Sequence, residues 1–209
     1  MNLGYIADEE FLFSFVTPLM VRKWPGSDDL NRRLRDLILS VEQKEQGIKR
    51  SNVGGWHSKD DLFRWENPAI KELLDRVMVA TRLMTAKICG DAAKGTAPEI
   101  SIAGWANISR NGHYNAVHNH IRYTWSGVYY VDLGENDPAI PNSGMIEFLD
   151  PRLGIDPDAL PGNAFKPHMR ILPEAGTMLM FPAWLQHWVH PFQGRGERIS
   201  IAFNVKLRF

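Results

Sequence analysis

The sequence predicts an α+β protein with a mainly helical first half and a β-sandwich or barrel in its second half. The 209 residues are 44% hydrophobic and 23% charged, as in ordinary globular proteins. Apolar residues recur at helical spacing before residue 98, and form short or alternating runs after it. No repeat or low-complexity linker separates the halves. We therefore expect one domain over residues 1–209, in which a helical part (1–98) packs against a β core (99–209).

Two amphipathic helices are expected in the first half. Residues 28–46 place apolar side chains at helical spacing, with Ser27 as the N-cap residue and Gly47 as the stop signal. The second helix has clearer end signals, because Asn67 can cap it, Pro68 suits the first helical position and Gly90 can end it. Each helix has one apolar face, so we expect both to lie against a sheet.

Short strands are expected from residue 99 onward, bounded by glycine, proline and asparagine. The last is the clearest, because Ile199, Ile201 and Phe203 alternate with polar residues that include Arg198 and Ser200. One of its faces is apolar, and the other bears groups that can take part in chemistry. The predicted strands cover residues 99–109, 114–120, 126–133, 144–149, 168–172, 176–181, 186–192 and 197–208.

Charge and cysteine content narrow the range of partners. The 24 basic and 24 acidic residues cancel, so no long-range field would attract nucleic acid. We expect a small-molecule or protein substrate, no nucleic-acid partner and no membrane; a homodimer is compatible with the sequence. Cys89 has no second cysteine to pair with, and the acidic start MNLGYIADEE lacks the features of a signal peptide. We expect a cytoplasmic protein.

Four of the seven histidines cluster in two segments. His118 and His120 are two residues apart on a predicted strand, so their imidazoles would share a face. A third histidine from another strand would leave coordination positions open, as catalytic metal sites do. His187 is the expected third ligand. His190 lies three residues further along, so it would face the opposite way.

Arg198 and Ser200 share the polar face of the last predicted strand. A guanidinium can bind a carboxylate through two parallel hydrogen bonds, and a hydroxyl two residues further on can add another. The pair is therefore suited to hold one end of a dicarboxylate. The alternative is a surface arginine beside a turn.

The order HxH, a long spacer, a distal histidine and RxS resembles the Fe(II)- and 2-oxoglutarate-dependent oxygenase superfamily over residues 107–204. The resemblance implies a double-stranded β-helix, or jelly roll, with helices on the outer face of its larger sheet. It also implies that Fe(II) and 2-oxoglutarate are the cofactors and that O2 is the cosubstrate. The implied enzyme class is an oxidoreductase, namely a dioxygenase of unknown substrate. The implied metal ligands are His118, His120 and His187.

The resemblance also implies a cosubstrate site. The run VYYVD is similar to a strand of prolyl hydroxylases whose second tyrosine bonds the cosubstrate carboxylate, which corresponds to Tyr130. Asn107 matches an asparagine that helps to hold the cosubstrate in alkylation-repair demethylases. Together with the clamp, Arg198 and Ser200, these residues are the expected 2-oxoglutarate site.

One ligand departs from the superfamily pattern, in which a carboxylate usually stands where this chain has His120. The same HxH form is found in a bacterial and phage subgroup that this sequence resembles in SGVYY and RISIAFN. Three imidazoles bring no negative charge, and they suit Zn²⁺ as well as iron. Two alternatives stay open: a cupin-type three-histidine dioxygenase, and a jelly-roll module that binds a metal or small acid without turnover.

The segment 51–58 is rich in glycine and aromatic residues and connects the two predicted helices. Long connections of this kind often bind ligands. The segment is therefore either a substrate lid, with Trp56 and His57 as the residues to test, or a packed loop.

Overall fold

A computed structural model describes residues 15–93, 95, 97–152, 154, 156 and 166–209. The acidic start of the sequence lies outside these residues. Two α-helices and eleven strands occur in the described part of the chain, together with short 3₁₀ turns at Leu62–Arg64 and Gly90–Ala93. In chain order the elements are β1 (Met20–Lys23), α1 (Asp28–Glu42), β2 (Asn52–Val53), β3 (Trp56–His57), α2 (Pro68–Cys89), β4 (Glu99–Ser109), β5 (Tyr114–His118), β6 (Trp125–Asn136), β7 (Ile146–Leu149), β8 (His168–Ile171), β9 (Thr177–Pro182), β10 (His187–Val189) and β11 (Gly194–Arg208).

The strands form two antiparallel sheets. The major sheet has six strands in the order β1-β9-β6-β11-β4-β3, and the minor sheet has five in the order β2-β5-β10-β7-β8. Strands that are neighbours in a sheet come from distant parts of the chain, as in a double-stranded β-helix. The expected fold class, a jelly roll with flanking helices, is confirmed.

Both helices pack on the outer face of the major sheet. Leu34 of α1 and Ile70 of α2 lie in one buried cluster with Ile199, Ile201 and Phe203 of β11. Each of these side chains is at most 1% exposed, so each contributes about 1.5–3 kcal/mol relative to exposure to water. The apolar face of the last strand therefore points outward, toward the helices, as its alternation predicts.

The helix ends differ in how well the sequence predicts them. Helix α2 begins at Pro68 as expected, and the Asn67 side chain accepts a 2.8 Å hydrogen bond from a backbone N–H of the first turn. Helix α1 ends at Glu42, four residues before the predicted position. Ser27 makes no capping bond, because its hydroxyl accepts a 2.8 Å bond from Arg76 of α2 and donates to a backbone carbonyl. A contact between the helices has replaced the local cap.

The segment 51–58 connects the two sheets. Its first half is β2, which pairs with β5 in the minor sheet, and its second half is β3, which pairs with β4 in the major sheet. Trp56 and His57 are both buried. These pairings fit the packed-loop interpretation rather than a free lid. None of the described helices has the length and apolar character that a membrane crossing needs.

Candidate metal centre and cosubstrate pocket

Three histidines meet between the sheets at one end of the jelly roll. His118 ends β5 and lies directly opposite His187 of β10, while His120 follows just beyond the end of β5. The prediction that the HxH pair lies within one strand is therefore wrong by two residues, because β5 stops at His118. The ring centroids of the three histidines are 4.4–5.3 Å apart, and one nitrogen from each ring lies within 4.8 Å of the others. The predicted set of residues is brought together.

Hydrogen bonds orient the rings. Nδ1 of His118 lies 2.7 Å from the carbonyl of Ala116, and Nδ1 of His187 lies 2.9 Å from the carbonyl of Leu185. A carbonyl can only accept, so each Nδ1 must carry the proton. Nε2 of each ring then carries a lone pair that can bind a metal.

The surroundings keep all three imidazoles neutral. Burial lowers the pKa of His118, lowers that of His120 to about 4 and lowers that of His187 to about 3; the positive charge that His118 can acquire adds to the effect on the other two. Neutral imidazole is the form that binds metals, so the site is ready to bind one at neutral pH.

Arg198 lies in the same pocket and is 3% exposed. Its guanidinium carbon is 5.3 Å from the ring centroid of Tyr130, a favourable cation–π distance. No carboxylate among the described residues forms an ion pair with it. Burial lowers the pKa of Arg198, and Tyr130 opposes this change. A buried cation without a counter-charge is costly, so the pocket is suited to an anion.

The other predicted cosubstrate residues lie in the same pocket as Arg198, on three neighbouring strands of the major sheet. Ser200 of β11 lies between Asn107 of β4 and Tyr130 of β6, and its Cα is paired with both. Directly opposite residues on adjacent strands point to the same side of a sheet. All of the predicted metal and cosubstrate residues line the one pocket.

Two polar atoms in this pocket are buried without a hydrogen-bond partner in the described part of the chain: Tyr130 Oη and Asn107 Oδ1. Burial raises the pKa of Tyr130 to about 12, while Arg198 opposes the shift, so the phenol keeps its proton and can donate. Buried polar groups are rarely left unpaired. A cation, a hydroxyl donor and an amide therefore fit a bound dicarboxylate, and the three imidazoles fit the metal.

His190 lies apart from the three-histidine cluster. Its Nε2 donates a 2.8 Å bond to Glu147, which also accepts a 2.6 Å bond from Arg170, and its ring stacks on Trp188 at 4.0 Å. The choice of His187 over His190 as the third candidate ligand agrees with this placement. His190 lies one residue beyond the end of β10, and its side chain bonds Glu147 outside the cluster.

Several pocket residues were not predicted. Ser51 places its hydroxyl 3.4 Å from Nε2 of His118, and Trp105 contacts the His120 ring at 5.7 Å between centroids. Asn204 lies 3.3 Å from Nδ1 of His120. The strict alternation of β11 could have revealed Asn204, which shares the polar face of Arg198. Nothing in the sequence indicates that Ser51 crosses to His118.

A second cavity adjoins two of the three histidines, His118 and His120. It shares His118, His120 and Trp105 with the first pocket and extends to His57, which stacks on Trp105 with centroids 5.4 Å apart, and to Tyr123. An ion pair between Arg50 and Asp60, 3.7 Å long, lies at its edge. The space next to the candidate metal thus has aromatic walls and a rim of mixed charge.

Residues 103–204 match the family described as "Putative 2OG-Fe(II) oxygenase". The match covers just under half of the chain and agrees with the resemblance of its motifs to the 2OG-Fe(II) oxygenase superfamily. The family's cofactors are Fe(II) and 2-oxoglutarate, and its enzymes are oxidoreductases, which agrees with the expected enzyme class. No match was found among curated protein sequences.

Solved oxygenase structures share the fold. A prolyl-4-hydroxylase from Pseudomonas putida is 19% identical, with a TM-score of 0.64 and alignment over 91% of this chain and 93% of its own. A prolyl hydroxylase from Trichoplax adhaerens, solved with a peptide fragment of the hypoxia inducible factor oxygen degradation domain, is 12% identical (TM-score 0.62; 90% and 83% covered). HygX from Streptomyces hygroscopicus, with nickel and 2-oxoglutarate bound, is 11% identical (TM-score 0.60; 92% and 84% covered). This likeness confirms the oxygenase fold.

Proposed function

We propose that the chain is an Fe(II)- and 2-oxoglutarate-dependent dioxygenase that hydroxylates a small molecule or a protein side chain. The observation that carries the proposal is Arg198, a buried guanidinium with no carboxylate partner among the described residues, in the same pocket as the three histidines. A dicarboxylate that reaches the metal with one end would neutralise Arg198 with the other. Neither the cupin alternative nor a closed structural metal site gives Arg198 a role.

In this proposal one set of residues binds the metal and another binds 2-oxoglutarate. His118, His120 and His187 would hold the metal through Nε2. Arg198 and Ser200 would hold the distal carboxylate of 2-oxoglutarate, with Tyr130 and Asn107 completing its hydrogen bonds. Because the three imidazoles are neutral, the carboxylate that reaches the metal would offset one of its two positive charges, while the distal carboxylate would offset the charge of Arg198.

Fe(II) with 2-oxoglutarate and O2 would supply the oxidising chemistry: 2-oxoglutarate and O2 become succinate and CO2, and one oxygen atom enters a substrate C–H bond. The protein's part is to hold that bond beside the metal. The second cavity is suited to this task, because His118 and His120 line it as well as the first pocket. Trp105 and His57 can contact a planar or apolar part of the substrate, and the Arg50–Asp60 pair can contact its polar groups.

Partners and location stay proposals as well. The balanced charge of the chain supports a small-molecule or protein substrate rather than nucleic acid. The lack of a second cysteine is consistent with a cytoplasmic location. A homodimer is compatible with these features.

The first experiment is an anaerobic titration of the Fe(II)-loaded protein with 2-oxoglutarate, followed by visible absorption, and then admission of O2 with a succinate assay. We expect a charge-transfer band that grows with 2-oxoglutarate and decays as succinate forms. His187→Ala should abolish the band. His190→Gln is the matched control, because it removes a neighbouring histidine outside the cluster and should leave the band unchanged.

Two other outcomes would contradict the proposal. Metal binding without the band would favour the cupin or binding-module interpretation, since neither requires chelation by 2-oxoglutarate. A band without succinate, under all conditions and with all candidate substrates, would leave a binding module as the function.

A further inference from the structure

Asn204 connects His120 to the major sheet. It lies on the polar face of β11, six residues after Arg198, and its side-chain amide is 4% exposed. Its Nδ2 position is 3.3 Å from Nδ1 of His120, and its Oδ1 position accepts a 2.9 Å bond from the hydroxyl of Ser126. This is the side-chain hydrogen bond that links His120 to the rest of the pocket.

The three histidines have different kinds of partner at Nδ1. For His118 and His187 the partner is the backbone carbonyl two residues earlier in the chain. His120 lies beyond the end of β5 and has the side chain of Asn204 instead. The first two partners can only accept a proton, so they fix the rings in the form that binds metal through Nε2.

A side-chain amide can either donate a hydrogen bond to Nδ1 or accept one from it, depending on whether its nitrogen or its oxygen faces the ring. With Nδ2 facing His120, Asn204 donates to Nδ1, and the proton of the neutral imidazole must then sit on Nε2, where it blocks a metal. A half-turn of the amide exchanges its oxygen and nitrogen with almost no change in shape. Oδ1 then accepts from Nδ1–H, and the lone pair of Nε2 is free.

Every group keeps a partner after the half-turn. Nδ2 of Asn204 then donates to the Ser126 hydroxyl, which donates in turn to the Phe203 carbonyl 3.5 Å away. The chain of bonds runs from Phe203 through Ser126 and Asn204 to His120. A buried network in which each member is satisfied holds its members firmly in place.

We propose that Asn204, supported by Ser126, is the positioning residue that makes His120 a metal ligand. It does so by accepting the Nδ1 proton and thus fixing the ring and its tautomer. The proposal rests on the proposed metal site. It also accounts for the departure from a carboxylate at position 120: a carboxylate has no tautomer to fix, whereas an imidazole in that place needs an acceptor behind it.

The test compares two substitutions of Asn204 by cobalt binding. Asn204→Leu keeps the approximate size but removes the acceptor, and we expect Co(II) affinity to fall about 10–100-fold. Asn204→Asp keeps an acceptor and should retain affinity near that of wild type, with the same visible d–d bands. Asn31→Leu, which removes a buried amide that accepts a 2.7 Å bond from Tyr129, is the control for general loosening and should bind Co(II) as wild type does.

A second measurement does not depend on any variant folding. Long-range ¹H–¹⁵N correlation of histidine-labelled wild type loaded with Zn(II) should show His120 with its proton on Nδ1. A proton on Nε2 would overturn the proposal. Equal Co(II) affinity in Asn204→Leu and wild type would overturn it as well.

The same titrations separate this proposal from the proposed function. If wild type fails to bind Co(II), or if His187→Ala binds it equally well, the three-histidine metal site itself is wrong. If wild type binds, His187→Ala does not and Asn204→Leu binds as tightly as wild type, only the role of Asn204 is wrong.

Discussion

Arg198 and Tyr130 each lower the stability of the ligand-free fold and favour the binding of a ligand. The guanidinium is buried 5.3 Å from the tyrosine ring, and no carboxylate among the described residues balances its charge. The Tyr130 hydroxyl is buried and has no hydrogen-bond partner within the described part of the chain. Both arrangements cost folding free energy until a suitable ligand binds. Each residue should therefore affect stability and ligand binding in opposite directions.

Arg198→Met should weaken 2-oxoglutarate binding by about 10–100-fold, because two charge-assisted hydrogen bonds are lost. Metal binding should be retained. The ligand-free variant should be at least as stable as wild type, because an unpaired buried charge is gone. Isothermal titration calorimetry with 2-oxoglutarate and thermal unfolding without it measure the two effects. Unchanged affinity for 2-oxoglutarate would show that the clamp assignment is wrong.

Tyr130→Phe should also weaken 2-oxoglutarate, by about 10-fold, since one hydroxyl donor is removed. Its unfolding temperature without ligand should not fall, because the hydroxyl has no partner among the described residues. Tyr129→Phe is the matched control on the other side of β6, where the hydroxyl donates a 2.7 Å bond to Asn31. That variant should lose stability and keep its affinity.

At this scale the sequence predicts residues whose chemistry and spacing are distinctive. The HxH pair, the distal His187 and the RxS pair converge in the structure as their residue types suggest. Trp105 could not be predicted as a pocket residue, and Ser51 was predicted only as part of the possible lid, without its contact with His118. They reach the histidines only because strands distant in sequence become neighbours, and serine and tryptophan are common in ordinary packing.

Among the elements, helix α2 agrees best with its end signals. Asn67→Ala should lower the free energy of unfolding by about 1 kcal/mol, because the backbone N–H that the side chain caps loses its partner. Chemical denaturation measures the change. Asn67→Ser preserves a capping oxygen and should remain close to wild type. An equal loss in both variants would indicate a role for Asn67 other than capping.

Strands β7, β8 and β10 meet at Glu147, which bonds Arg170 and His190. Burial raises the pKa of Glu147, but these bonds outweigh it and hold the pKa below its ordinary value of 4.5. A depressed carboxyl pKa stabilises the fold above 4.5, and this stability is lost as the pH falls through the folded-state pKa.

Glu147→Gln should therefore cost about 1–3 kcal/mol of unfolding free energy at pH 7. The difference from wild type should shrink below pH 4.5, as the wild-type carboxylate takes up its proton. Urea denaturation at a series of pH values tests this. A difference that stays constant with pH would mean that the loss comes from packing and not from charge.

Periodicity predicted the eight later strands to within a few residues, whereas β1, β2 and β3 were missed. These three strands are two to four residues long. So short a segment has no measurable alternation, and its pairing depends on the sheet that it joins. The end of α1 was placed too late for a related reason, because Gly47 was the nearest stop signal in the sequence.

At the scale of the whole molecule, the candidate ligands come from both sheets. The minor sheet provides His118 and His187, and the major sheet provides Asn107, Tyr130 and Arg198. A metal with 2-oxoglutarate would therefore connect the two sheets. Stability should depend on both ligands together.

Zn(II) at about 100 times its Kd should add about 2.7 kcal/mol to the unfolding free energy, and 2-oxoglutarate at about 100 times its Kd should add about as much again. For a chain of this size each step corresponds to a rise of roughly 5–10 °C in Tm. Differential scanning fluorimetry measures the shift. His187→Ala should show none. A shift with Zn(II) alone that 2-oxoglutarate does not increase would argue against a shared site.

The two faces of strand β11 have different roles: one packs in the core and the other lines the pocket. Its odd-numbered positions 199–205 are in contact with the helices, and its even-numbered positions 198–204 face the pocket. A point substitution on the pocket face leaves the helix-facing side chains in place, so natural variation could alter ligand preference without altering the core. An insertion or deletion of one residue would exchange the two faces over the rest of the strand. We therefore expect relatives to vary in this strand by substitution and to keep its length.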